Sequence, residues 1–152
     1  MTTPSTTPPP PDLTLELVSN PIYLCGVREL VAQISKRLGF PDQHASQIAL
    51  AVDEALTNIM KHGYERRLDG RIWLKLRPVA QPPSLEVIIE DQAKQVDPCN
   101  IKGRDLEDIR PGGLGVHIIK EVMDEVRYEK CNGAAGMRLT MIKRQPPAAP
   151  TP

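Results

Sequence analysis

The segment Asp53-Glu54-Ala55-Leu56-Thr57-Asn58 sets a carboxylate and a carboxamide four residues apart. On a helix, Glu54 and Asn58 therefore share a face, one turn from each other. A carboxylate can take a proton, and an amide oxygen suits a hard cation such as Mg²⁺. Further along, Glu90-Asp91 ends an apolar run. A buried Asp there can accept a hydrogen bond from an exocyclic amine such as that of adenine, although Asp at a strand end more commonly turns the chain. Gly112-Gly113-Leu114-Gly115 then opens another helical pattern. Glycines at a helix N-terminus let backbone amides approach phosphate in a favourable field, or simply make a tight helix entry. Each feature alone is ordinary, and an isolated Glu/Asn pair is usually solvated surface. Their joint presence, in this order, suggests a nucleotide site. The glycine spacing is not GxGxxG, and no Walker lysine pattern is present.

The elements that must position these residues are legible as periodicities. Leu13, Leu15 and Leu17 alternate with Thr14 and Glu16 as a first strand. Leu24, Val27, Val31, Ile34 and Leu38 recur at helical spacing, with Pro21 near the start and Gly39 at the end. Asp42 is placed to cap a second helix, whose buried face is Ala45, Ile48, Val52, Ala55, Leu56 and Ile59. Glu54, Asn58 and His62 form an inclined polar stripe at the edge of that face, where a cleft would be lined.

After Asp69-Gly70, Ile72, Leu74 and Leu76 alternate as a strand, and Pro82-Pro83 precedes another at Leu85–Glu90. Residues 92–112 lack periodicity apart from a helical turn at Asp105–Ile109, and loops this long are usually functional or disordered. Arg104 and Arg110 lie in this loop and would reach a terminal phosphate if it closes as a lid. Gly113–Met123 reads as a third helix, and Val126–Lys130 with Met137–Lys143 as a hairpin around Asn132-Gly133. The expected fold class is α+β: a two-layer sandwich with a mixed, mostly antiparallel sheet covered on one face by about three helices. The ordered domain is expected over residues 13–144. The Pro- and Thr-rich tails, 1–12 and 145–152, are expected to be disordered, since they offer almost nothing to bury.

Nineteen basic and nineteen acidic residues give a formal net charge of zero, with no electrostatic case for nucleic acid or an anionic membrane. Three cysteines, Cys25, Cys99 and Cys131, show no CxxC spacing, and a reduced setting is the simplest reading. No apolar run approaches the roughly 18 residues of a membrane span, and no signal-peptide pattern opens the chain. A cytoplasmic protein is expected.

Together these residues resemble the Bergerat-fold (histidine-kinase-like, GHKL) ATPases, and among them the small bacterial anti-sigma factor serine-protein kinases. The resemblance runs from about Leu13 to Lys143. It is carried by Asp53 to Asn58 with His62-Gly63-Tyr64, and by Gly112 to Val116 with Met123-Asp124-Glu125-Val126. It implies ATP and Mg²⁺ as cofactors, Glu54 as general base and Asn58 as metal ligand. Asp91 would bind the adenine amino group. Gly113, Leu114, Gly115, Val116 and Arg110 would lie at the nucleotide, beneath a lid of residues 92–112. It also implies two protein partners, a sigma factor that is sequestered and a STAS-domain anti-anti-sigma protein that is phosphorylated on serine. A homodimer stays open.

Two departures bear on the base site. The family's glycines after the Asp are replaced here by Ala93 and Gln95, and its late Gly-Thr reads Gly136-Met137. Glycine's backbone freedom and a threonine hydroxyl are thereby lost. The alternative reading is a degenerate module of the same fold that switches partners with weak or no ATP binding.

Overall fold

The computed structural model describes residues 7–80, 83–101 and 114–145. Its elements run β1 (Leu13–Val18), α1 (Leu24–Arg37), α2 (Asp42–Asn58), β2 (Arg71–Ala80), β3 (Pro83–Asp91), α3 (Gly115–Val122), β4 (Glu125–Lys130) and β5 (Met137–Arg144). The five strands lie in the order β1-β2-β3-β5-β4. Every neighbouring pair among them is antiparallel, so the mixed component expected from sequence is absent from the described strands.

One face of the sheet is dry and the other wet, as antiparallel sheets permit. Ile72, Leu74 and Leu76 of β2, with Leu85, Val87 and Ile89 of β3, are buried beneath Ile48, Val52 and Leu56 of α2. The opposite face carries cross-strand ion pairs: Lys75 to Glu90 at 3.0 Å, Arg77 to Glu86 at 2.7 Å and Arg138 to Glu90 at 3.1 Å. Period-two alternation along β2 and β3 therefore sorts core from solvent.

Several boundaries differ from the sequence expectation. Pro41, not Asp42, occupies the cap of α2, and Asp42 is the first helical residue with no capping hydrogen bond. Proline at this site leaves the acidic side chain inside the first turn, where it still complements the helix field. β2 runs on to Ala80 through Pro78. Asp12 N–H bonds Leu76 O at 2.9 Å, and Leu76 is the last β2 residue paired with β1. Pro78 falls beyond that pairing, where a missing N–H breaks no ladder bond. At the other terminus, Gln145 donates to the Gly39 carbonyl at 2.5 Å, so contacts reach one residue into the stretch read as a tail. Residues 1–6 and 146–152 lie outside the described residues.

Candidate functional site

α2 does not simply end at Asn58. The next residues, Ile59–Gly63, form a π-helical turn closed by Tyr64 N–H to Ile59 O at 2.9 Å. Glu65 and Arg66 follow with φ of 51° and 66°, in the left-handed region that turns the chain away. Single π turns are rare and recur at functional sites. This one follows directly on the candidate metal ligand. Tyr64 anchors it: the buried phenol donates to the Arg71 carbonyl and accepts from Gln92 N–H at 2.8 Å. One side chain thus fixes the end of the α2 segment to the start of β2 and to the residue after Asp91.

α3 begins directly over α2. A Cβ on Gly115 would lie 2.6 Å from Glu54 Oε2 and 3.2 Å from Asn58 Nδ2. The acid and the amide therefore both meet the first residue of α3, and glycine is what allows the approach.

A cavity of about 310 Å³ lies between α2, α3 and the sheet. Asn58, Ile59, His62 and Gly63 line one wall, and Val116 of α3 another. Asp91, Ala93, Met137 and Leu139 form the sheet side, with Tyr128 of β4 beside them. Glu54 sits one helical turn before Asn58, outside this lining. The volume and mainly apolar walls with few polar groups are those of a small-molecule pocket.

Asp91 is the buried carboxylate of this wall. Its Oδ1 accepts from Ala93 N–H at 2.9 Å and from Met137 N–H at 3.1 Å. Burial pushes its carboxyl above the ordinary aspartate value, and these two backbone bonds only partly offset that. Gly136, with φ of +95°, brings the β5 strand start against it: a Cβ there would lie 2.4 Å from Asp91 O.

The structure thus brings together Glu54, Asn58 and Gly115, and lines one cavity with Asn58, Val116 and Asp91. Leu114 is exposed, lines a shallow surface with His117 and Ile118, and is not part of this cavity's lining. Gly113, Arg110, Arg104 and the turn expected at Asp105–Ile109 lie outside the described residues, as does the lid expected over 92–112 beyond Ile101. Two contributors escape the sequence reading. Tyr128 lines the cavity, and burial raises its phenol above the ordinary value, leaving a neutral hydroxyl. The alternation of Val126 and Tyr128 along β4 marks both as inward-facing. The second is the Met137 backbone amide, which donates to Asp91, and no side-chain pattern reveals a backbone donor.

Mg²⁺ in phosphoryl-transfer sites is held by one or two protein oxygens and the phosphates rather than by an all-protein cage. Among the described residues no cluster of three or more His, Cys, Asp or Glu forms a cage. The Asn58 carboxamide at the cavity edge, beside Glu54, fits the sparser arrangement.

The family profile described as the histidine kinase-like ATPase domain matches residues 17–143. The serine-protein kinase RsbW of Listeria monocytogenes serovar 1/2a is 30% identical over 122 residues, covering 76% of this chain and 77% of that protein. The serine-protein kinase RsbW of Bacillus subtilis strain 168 is 27% identical over 128 residues, 78% of either chain. Among solved structures, that of the RsbU and RsbW domains of Rv1364c from Mycobacterium tuberculosis shares the fold, with a TM-score of 0.58 at 19% identity. The likeness spans 90% of this chain and 32% of that one. No helix among the described residues is long and apolar enough to cross a membrane.

Proposed function

We propose a nucleotide-dependent function, because this chain belongs to the histidine kinase-like ATPase domain family, in the branch of the bacterial anti-sigma factor serine-protein kinases. The chain binds ATP with Mg²⁺ and transfers a phosphoryl group to a serine of a STAS-domain antagonist. It also sequesters a sigma factor in the cytoplasm. The observation that carries this reading is the meeting of Glu54 and Asn58 over Gly115, at the edge of a cavity whose sheet wall holds Asp91.

Each residue has a part. Asp91 Oδ1 is occupied by two amides, which fixes the carboxylate and leaves the group turned to the cavity to accept from the adenine amine. Asn58 would hold Mg²⁺, which when bound neutralises phosphate charge. Glu54, one turn away at the α3 N-terminus, takes the proton of the incoming serine hydroxyl. Phosphoryl transfer asks chiefly for positioning and charge stabilisation, and these groups supply both.

A second reading, the partner-switching module without catalysis, is favoured by Ala93, whose side chain stands in the cavity wall where the family has glycine. Labelled-phosphate transfer from ATP to a cognate STAS-domain protein, run beside sigma-factor capture, separates the two. Wild type transfers label. Glu54→Gln keeps sigma-factor capture and slows transfer by about 10² to 10⁴, the usual cost of losing a general base. Wild type that captures the sigma factor but transfers nothing supports the module.

A further inference from the structure

We infer that Gln95 is a positioning residue for the base site: its carboxamide ties the segment after β3 to the β4–β5 turn and so holds the Met137 amide on the Asp91 carboxylate. Gln95 Nε2 lies 3.0 Å from Cys131 O, 3.2 Å from Gly133 O and 3.2 Å from Gly136 O. A carboxamide nitrogen has two hydrogens, so the three carbonyls share them. All three belong to the turn that joins β4 to β5. Residues 132–135 are exposed, so the turn has little packing of its own, and the carboxamide supplies a polar restraint instead.

The restraint leads directly to Asp91. Gly136 N–H donates to Ala93 O at 2.8 Å, and Cys131 N–H to Gly136 O at 3.0 Å. The next residue, Met137, donates its N–H to Asp91 Oδ1 at 3.1 Å. Gln95 and Ala93 thus grip the turn from one side while Gly136 lies against the Asp91 carbonyl. If Gln95 lets go, Gly136 and Met137 gain freedom and the Asp91 carboxylate loses one of its two fixed donors. A carboxylate held in one orientation accepts from an adenine amine and repels the carbonyl that guanine presents there. Base selectivity is therefore the functional consequence, and it rests on the nucleotide reading of the cavity.

The test uses the full chain with Gln95→Glu, which keeps the shape but loses the donors, and Gln95→Ala. Amide hydrogen exchange is followed by NMR without ligand. The Gly136 and Met137 amides should exchange about tenfold faster in both variants, while Leu74 and Ile89 amides in the sheet centre keep their protection. In parallel, the preference for ATP over GTP in a competition titration should fall about tenfold, a change that ordinary loss of stability does not produce. Unchanged exchange at Met137 in both variants overturns the inference. So does an equal loss of protection at Leu74 and Ile89, which would make Gln95 a general stabiliser. Wild type that binds neither nucleotide overturns the reading of the cavity instead, and the exchange result still decides whether Gln95 holds Met137.

Discussion

The two ends of the candidate site are built by opposite means. At the sheet end, Asp91 is fixed by backbone: Ala93 and Met137 amides grip its Oδ1, and Gly136 lies against its carbonyl. At the helix end, Glu54 and Asn58 reach Gly115 only through side chains. Backbone donors in a turn cannot change rotamer, so the sheet end is preorganised, as a recognition site requires. Side chains on a helix can adjust, as would suit the metal-holding and proton-accepting roles proposed for them. The same substitution, glycine to alanine, should therefore cost chiefly stability at the sheet end and chiefly activity at the helix end.

The largest effect is expected at Gly136. Its φ of +95° strains any L side chain, and the new methyl would meet the Asp91 carbonyl oxygen, a backbone atom, at 2.4 Å. Gly136→Ala should cost about 3 kcal/mol in chemical denaturation. A loss below about 0.5 kcal/mol, the level of an ordinary surface change, would mean the turn moves freely and the contrast fails.

Gly115→Ala comes next. Its methyl would meet Glu54 Oε2 at 2.6 Å, the far end of a rotatable side chain. The carboxylate can swing aside, so stability should fall by less than about 1 kcal/mol. The displaced base, however, should cut phosphoryl transfer by about tenfold or more, because small misplacements of reacting groups are expensive. Thermal melting beside the transfer assay reads both. A stability loss matching that of Gly136→Ala would show that the helix end is equally rigid.

The smallest effect on stability is expected at Asp91. Its raised carboxyl pKa means that the native state holds the proton more tightly than the unfolded chain. As pH rises from the ordinary aspartate value through the raised one, the unfolded chain gives up its proton first, and stability from this group is lost. Above that window the buried charge is a net cost. Asparagine still accepts from Ala93 and Met137 but carries no charge. Asp91→Asn should thus be at least as stable as wild type at neutral pH, and lose that advantage below the window, while preference for adenine disappears. Urea titrations at a series of pH values check this. A stability difference that does not change with pH would show that burial of Asp91 has no titration consequence.

How much of this was legible in the sequence follows the same division. Alternation along Leu13 to Leu17 and Ile72 to Leu76 marked strands, and the spacing of Ala45, Ile48, Val52, Ala55 and Leu56 marked the buried face of α2, because burial leaves a period in side-chain type. The helix end of the site was legible for the same reason: Glu54, Asn58 and Gly115 stand out by type and spacing. The sheet end was only half legible. Asp91 stood out at the end of an apolar run, but its partners are main-chain amides of Ala93 and Met137, which every residue but proline possesses. Gln95 read as a missing glycine, and only the fold shows its carboxamide on the turn carbonyls. The cap of α2 shifted to Pro41 because capping geometry depends on the chain before it, not on residue type alone.

Titrating the wild-type chain with ATP, with and without Mg²⁺, beside Asn58→Ala, decides whether the cavity between α2, α3 and the sheet is a metal-assisted nucleotide site. Binding should tighten by about tenfold or more with Mg²⁺, about 1.4 kcal/mol, and that increment should be gone in Asn58→Ala. No binding by wild type at millimolar nucleotide, or binding whose Mg²⁺ increment survives in Asn58→Ala, would contradict it.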